Sequence, residues 1–175
     1  MLTGPRVRLE PTTPRIASEL WEAIEVSLPE LRPWLAWAVD GDLASTRSFT
    51  EAAERAWGST EWTYTIFVDG GVAGGIGLNR YEPLLNSAQI GYWMRSDLAG
   101  RGLITEAARL LVEFAFGDLK LHRLELHAAP GNRGSVRVAE KLGFTKVGIL
   151  RHGSRGEGGY HDVFVFDLLE ADVRP

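Results

Sequence analysis

The chain of 175 residues contains no cysteine. That absence excludes disulfides, thiolate metal sites and a cysteine nucleophile, so any group transfer must use other chemistry. No run of about 18 apolar residues is present to span a membrane. The opening Met1-Leu2-Thr3-Gly4-Pro5-Arg6 lacks the apolar core of a signal peptide, so a cytoplasmic chain with no membrane contact is expected. His122, His127, His152 and His161 fall at no metal-ligand spacing and no acidic cluster accompanies them, so no metal is expected. Internal repeats and low-complexity tracts are also missing. What remains is 45% apolar, enough for one well-packed core, and one domain over residues 1–175 is expected.

Basic charge is scarce overall and concentrated locally. The net charge is −4, yet residues 95–146 hold nine Lys or Arg against six Asp or Glu, a local +3 that leaves −7 elsewhere. A locally basic segment in an acidic protein suits a small polyanionic ligand better than nucleic acid, which needs a broad basic face. A mixed solvated surface is the plain alternative.

Arg6-Val7-Arg8-Leu9-Glu10 alternates and stops at Pro11 and Pro14, which reads as a strand. Residues 14–27 carry Ile16, Leu20, Trp21, Ala23 and Ile24 at helical spacing. The prolines of Leu28-Pro29-Glu30-Leu31-Arg32-Pro33-Trp34-Leu35-Ala36-Trp37 interrupt regular helix, and the indoles of Trp34 and Trp37 suit a pocket wall. Residues 43–57 read as a second helix capped by Asp42 or Ser45, with Phe49, Ala52, Ala53 and Ala56 toward the core. Residues 63–68 and 72–78 form a hairpin about Asp69-Gly70-Gly71. The glycines between Gly70 and Gly75 fit a turn and a strand that something packs against closely better than a phosphate loop.

The stretch that organises the rest is Ala88-Gln89-Ile90-Gly91-Tyr92-Trp93-Met94, an extended apolar segment. It feeds Arg95-Ser96-Asp97-Leu98-Ala99-Gly100-Arg101-Gly102 and then a helix burying Leu103, Ala107, Leu110, Leu111 and Phe114, which ends near Gly117. A strand, glycine turn and helix start aim consecutive N–H groups at one point with the positive end of the helix dipole behind them, which suits a phosphate or pyrophosphate. Residues 123–129 give another strand. Asn132 caps a helix through Leu142, with Gly143 at the left-handed C-cap position and Phe144 packing back. Residues 146–150 and 160–168 read as an antiparallel pair joined by a long glycine-rich connection over residues 153–159. This order predicts a mixed sheet with helices on its faces, in the α+β range. Parallel neighbours are expected where the helix from Leu103 crosses between two strands.

Five blocks occur in order: Pro33-Trp34-Leu35-Ala36-Trp37, Ile90-Gly91-Tyr92-Trp93, Gly100-Arg101-Gly102, Asn132-Arg133-Gly134-Ser135 and Ala139-Glu140-Lys141-Leu142-Gly143-Phe144. With them the chain resembles the GNAT acyltransferases, in the branch that contains the RimJ and RimL ribosomal-protein N-terminal acetyltransferases. The resemblance covers essentially the whole chain. It implies a mostly antiparallel sheet of six to seven strands with helices on both faces and one splayed parallel pair. It also implies transfer of an acyl group from acyl-CoA, acetyl-CoA foremost, to a primary amine, most directly a protein or peptide N-terminus. By resemblance, Trp93, Met94 and Arg95 bind the pantetheine arm through their backbone. Ala99, Gly100, Arg101, Gly102, Leu103 and Ile104 supply N–H groups to the pyrophosphate, in agreement with the independent reading of the turn. Arg95, Arg101, Arg137 and Lys141 are candidates for the remaining phosphates.

In related members, Asn and Ser at the positions of Asn132 and Ser135 face the thioester, the Asn orienting the donor's arm and the Ser giving a proton to sulfur. The plain alternative is a helix cap and a first-turn serine. A backbone N–H near Met94 would meet the developing oxyanion, and without cysteine direct attack in a ternary complex is the simpler route. The general base departs from the pattern. Many relatives carry Glu where this chain has Gln89, and an amide cannot take a proton at neutral pH. Gln89 stays in the catalytic set as the holder of a water. The other options are Glu82, His127, Tyr160, His161, Asp162 or an amine that arrives partly deprotonated. The acceptor pocket is expected around Trp34, Trp37, Tyr81 and Tyr160. A small-molecule amine acceptor and a CoA-binding sensor with little turnover are the alternative functions, and a homodimer is left open.

Overall fold

The computed structural model describes residues 1–173; positions 174 and 175, counted in the expected domain, lie outside the described residues. The described strands are β1 (Leu2–Thr3), β2 (Arg8–Pro11), β3 (Trp62–Val68), β4 (Gly71–Glu82), β5 (Ser87–Met94), β6 (Arg123–Ala128), β7 (Thr145–Gly156) and β8 (Gly159–Leu169). They form one sheet in the order β1-β2-β3-β4-β5-β6-β8-β7. Every neighbouring pair is antiparallel except β5 and β6. The strand beyond the six to seven expected is β1, whose two residues are too few to carry an alternation. The helices are α1 (Ala17–Glu25), α2 (Leu28–Leu31), α3 (Leu43–Ala56), α4 (Leu103–Gly117), α5 (Arg133–Lys141) and α6 (Glu170–Val173).

Alternation along the strands splits the core into two layers. Tyr64, Ile76, Ile90 and Leu126 pack with Leu103 and Leu111 of α4 on one face. On the other face, Phe67, Val72 and Trp93 pack with Leu20, Ala23 and Ile24 of α1. Helices therefore cover both faces, as expected. Asp42 caps α3, accepting from Ser45 N–H at 2.7 Å while the Ser45 hydroxyl accepts from Asp42 N–H at 2.9 Å. The inner side of α3 is Thr46, Thr50 and Ala53, and Phe49 is exposed, contrary to the sequence reading. The spacing identified the helix and placed Ala53 correctly, but Phe49 and Ala52 face outward, because the threonines bury their methyls and bond their hydroxyls back to Asp42 and Arg47 carbonyls.

Asp69 and Gly70 both have positive φ, 51° and 84°, the two-residue turn whose twist matches a right-handed hairpin. The glycines of β4 make room for β5: a Cβ on Gly74 would collide with the Trp93 carbonyl oxygen, and one on Gly75 would lie 2.7 Å from the Trp93 indole nitrogen.

The long connection expected before residue 160 is instead a hairpin. β7 continues through Gly153 to Gly156 by way of bulges after Lys146 and Leu150, and only Glu157 and Gly158 turn. A glycine-rich run reads as a loop, but here the bulges absorb the glycines. Gly156 also lies hard against the Pro33 carbonyl, and Glu157 N–H donates to Arg32 at 2.9 Å. The hairpin is thereby tied to the segment after α2. No helix among the described residues is long and apolar enough to cross a membrane.

Candidate active site

β5 and β6 run side by side from Ser87 opposite Arg123 to Ile90 opposite Leu126, and there their pairing ends. β5 continues to Met94 bonded to β4, and β6 continues to Ala128 bonded to β8. The two strands therefore part and leave a wedge in the sheet. Successive residues of a strand direct their N–H and C=O to opposite neighbours. Arg95 N–H donates to the Ala73 carbonyl of β4 at 2.8 Å, so Trp93 also faces β4, while Tyr92 and Met94 direct their backbone groups into the wedge. A cleft of about 870 Å³ passes through it. On one face of the sheet the cleft is lined by α5 and the start of α4, and on the other by Trp34, Trp37, Gln89, His127 and Arg155.

At the first end, Gly100 and Gly102 hold φ of 77° and 78°, a conformation that a Cβ disfavours by roughly 1–2 kcal/mol. The first four N–H groups of a helix have no intrahelical acceptor. In α4 the bonding begins with Glu106 N–H to the Gly102 carbonyl at 3.1 Å, and Ala99, Gly100, Gly102, Leu103 and Ile104 line the cleft. The Glu106 carboxylate is spent elsewhere: it accepts from the N–H of Arg6 and Val7 at 2.7 and 3.2 Å and from Arg6 Nε at 2.8 Å, fastening the N-terminal segment to α4. Arg95 is paired with Asp97 at 2.9 Å, and Arg101 donates to the Asp97 carbonyl at 3.0 Å. Hydrogen bonding from Arg95 holds the Asp97 carboxyl below the usual carboxylate range. Neither guanidinium lines the cleft; Arg137 and Lys141 of α5 do.

Asn132 caps α5, its Oδ1 accepting from Ser135 N–H at 3.2 Å, and both residues line the cleft. The Ser135 Oγ lies 2.9 Å from the Tyr92 hydroxyl. Burial pushes the Tyr92 phenol up to about 12, against an opposing pull from that hydrogen bond. Tyr92 therefore stays protonated through the neutral range.

Across the sheet, Trp34 packs on Gly131, where a Cβ would sit 3.0 Å from the ring, and on His161 at 5.7 Å between centroids. Trp37 meets Trp93 edge-on at 6.1 Å. Tyr81 and Tyr160 do not join them. Tyr81 packs edge-on against Trp62 at 5.5 Å, because β4 runs on past the wedge to Glu82. Tyr160 is exposed at the hairpin end of β8 and stacks on His152. Glu82 accepts from Leu84 N–H at 3.1 Å and Asp162 from His152 N–H at 2.9 Å, both away from the cleft. His161 Nε2 is buried without a hydrogen-bond partner, and its residue does not line the cleft. Among the residues considered as a base, Gln89 and His127 line it. His127 Nε2 lies 3.0 Å from Glu125 Oε2, the other Glu125 oxygen pairs with Arg123, and Arg123 Nε donates to Asp167 at 3.0 Å. Burial pushes the Glu125 carboxyl up, but hydrogen bonds from Arg123 and His127, with the Arg123 charge, outweigh it and hold the group below its ordinary value.

Residues 6–145 match the family described as an acetyltransferase (GNAT) domain. The chain belongs to the GNAT acetyltransferases. It is 32% identical over 162 residues to YdaF of Bacillus subtilis (strain 168), provisionally named a ribosomal N-acetyltransferase, a match covering 91% of this chain and 88% of YdaF. A crystal structure provisionally described as an acetyltransferase superposes with a TM-score of 0.91 at 29% identity, covering 97% of this chain and 96% of the other. RimL, a ribosomal L7/L12 alpha-N-protein acetyltransferase in complex with coenzyme A, superposes with a TM-score of 0.89 at 21% identity over 95% of each chain, a likeness of fold.

Two features of this GNAT chain escaped the sequence reading. Tyr92 looks like any core-facing aromatic in β5, and nothing local points to Ser135, 43 positions away. The bond between Glu125 and His127 did carry a signal, since residues two apart on a strand share a face.

Proposed function

We propose that the chain moves an acetyl group from acetyl-CoA to a primary amine, first a protein or peptide N-terminus, by direct attack in a ternary complex. The observation that carries this reading is the wedge between β5 and β6, with a positive-φ glycine turn and the Ser135–Tyr92 pair on one face and an aromatic-walled opening on the other. The residues fit the donor: free N–H groups at the start of α4 suit its pyrophosphate, Arg137 and Lys141 its remaining phosphate, and the backbone of Tyr92 and Met94 its amide arm. RimL was solved with coenzyme A, which supports the same donor here. The names of YdaF, a ribosomal N-acetyltransferase, and RimL, a ribosomal L7/L12 alpha-N-protein acetyltransferase, support a ribosomal-protein N-terminus as acceptor.

The donor supplies an activated thioester. The chain supplies position, charge stabilisation and protons. Met94 N–H, unpaired along the wedge, is directed where negative charge develops on the carbonyl oxygen, and removing a donor of this kind costs about 10²–10³ in rate. Ser135 Oγ gives a proton to the departing sulfur and recovers one from Tyr92, whose raised pKa keeps it a proton holder. Asn132 fixes the α5 start that presents Ser135. Thiol release from acetyl-CoA, measured with a panel of N-terminal peptides, polyamines and free amino acids, tests this. Release with peptides above the background rate is expected. Tight CoA binding with no release for any acceptor would overturn the enzymatic reading, and release with the small amines alone would overturn the peptide acceptor.

A further inference from the structure

An attacking amine must surrender a proton, and Gln89, on the acceptor face of β5, cannot take it. We infer that His127 is the proton acceptor, through Nδ1, and that Glu125 is its positioning residue, an inference that rests on the acetyl-transfer reading above.

His127 follows Leu126, the last β6 residue paired with β5, so it stands where the wedge opens. Alternation puts it on the face of Gln89 and Glu125, opposite the face that carries Tyr92. The amine enters on one face and the sulfur leaves on the other, so base and acid belong on opposite sides of the sheet.

A carboxylate only accepts, so the 3.0 Å contact with Glu125 Oε2 assigns the proton to Nε2 and leaves the Nδ1 lone pair available. No other hydrogen bond to this ring is formed among the described residues. Glu125 cannot swing away, because Arg123 grips its second oxygen and Asp167 of β8 grips Arg123. The carboxylate that fixes the tautomer also stabilises the imidazolium once formed. The charged groups around the ring are Glu125 and Arg123 on β6 and Asp167 on β8, with Arg80 of β4, Arg155 of β7 and Glu30 of α2 along the cleft. β5 contributes the uncharged Gln89.

The amine N–H bond breaks and its proton goes to Nδ1; a C–N bond forms; the C–S bond breaks and the thiolate takes the proton held by Ser135. Solvent then relieves His127 and recharges the Ser135–Tyr92 pair.

The test compares wild type with His127→Gln, His127→Asn and Glu125→Gln, using acetyl-CoA and the best peptide acceptor. Both His127 variants should lower kcat/KM for the peptide about 100-fold at neutral pH while CoA affinity, measured calorimetrically, stays within about twofold. The acid limb of the wild-type pH profile should vanish in them, and Glu125→Gln should lower kcat for the peptide while leaving KM and CoA affinity nearly unchanged. Imidazole NMR on the CoA-free protein should show the Nε2–H tautomer at His127. Wild-type turnover with unchanged His127 variants, or an Nδ1–H tautomer, overturns this inference alone. Absence of turnover in wild type with every acceptor overturns the acetyl-transfer reading and this inference with it.

Discussion

Ser135 and Tyr92 share one hydrogen bond but carry unequal weight in the chemistry. Loss of a positioned acid costs about 10²–10⁴ in rate, so Ser135→Ala should lower kcat about 100-fold or more while leaving CoA affinity nearly unchanged. Tyr92→Phe removes one hydrogen bond worth about 1 kcal/mol, so kcat should fall about fivefold. Full turnover in Ser135→Ala, measured by thiol release with calorimetric CoA binding as the control, would remove the acid from the mechanism. Asn132 and Ser135 were legible in the sequence because a cap and its third helical residue are local chemistry. Tyr92 was not, because its partner depends on how far β5 and β6 part. Tyr81 and Tyr160 show the converse error: each lies near the right segment in the sequence, yet β4 and the β7–β8 hairpin carry them past the cleft.

At the scale of elements, the site depends on two glycine positions for different reasons. Gly74 is a matter of space: an added Cβ would press on the Trp93 carbonyl, and the backbone would have to move. Gly74→Ala should cost about 1–3 kcal/mol of stability, read from denaturant midpoints, and weaken CoA binding because the same shift moves Met94. Gly100 is a matter of conformation, with φ of 77° and open space around it. Gly100→Val should therefore raise the Kd for CoA at least tenfold with a smaller loss of stability; unchanged affinity would detach the turn from donor binding. The strand, turn and helix over residues 87–117 and the Asp69-Gly70 hairpin were legible because propensity, periodicity and turn chemistry agree there. The β7–β8 hairpin was hidden by glycines that serve bulges and close packing, and the inner side of α3 by threonines that read as polar.

For the whole molecule, groups on the two faces of the sheet set opposite limits of pH. Tyr92 keeps its proton up to about 12, against 10 for an ordinary tyrosine. Its raised pKa contributes stability that is complete below 10 and is lost as pH rises toward 12. Glu125 is held below its ordinary 4.5, so its contribution is complete above that value and is lost as pH falls through the lower folded one. Thermal midpoints followed against pH should show the alkaline loss flattened in Tyr92→Phe and the acid loss flattened in Glu125→Gln. Curves that do not change would mean that neither group is coupled to folding as the geometry requires.

The catalytic expectations depend on an acyl group crossing the wedge directly from donor to amine. Mass spectrometry after incubation with isotope-labelled acetyl-CoA and an N-terminal peptide reads that crossing. The label should appear on the α-amino nitrogen of the peptide with none retained covalently on the enzyme. Label held on the enzyme, or a peptide left unlabelled while CoA is bound, would contradict the account.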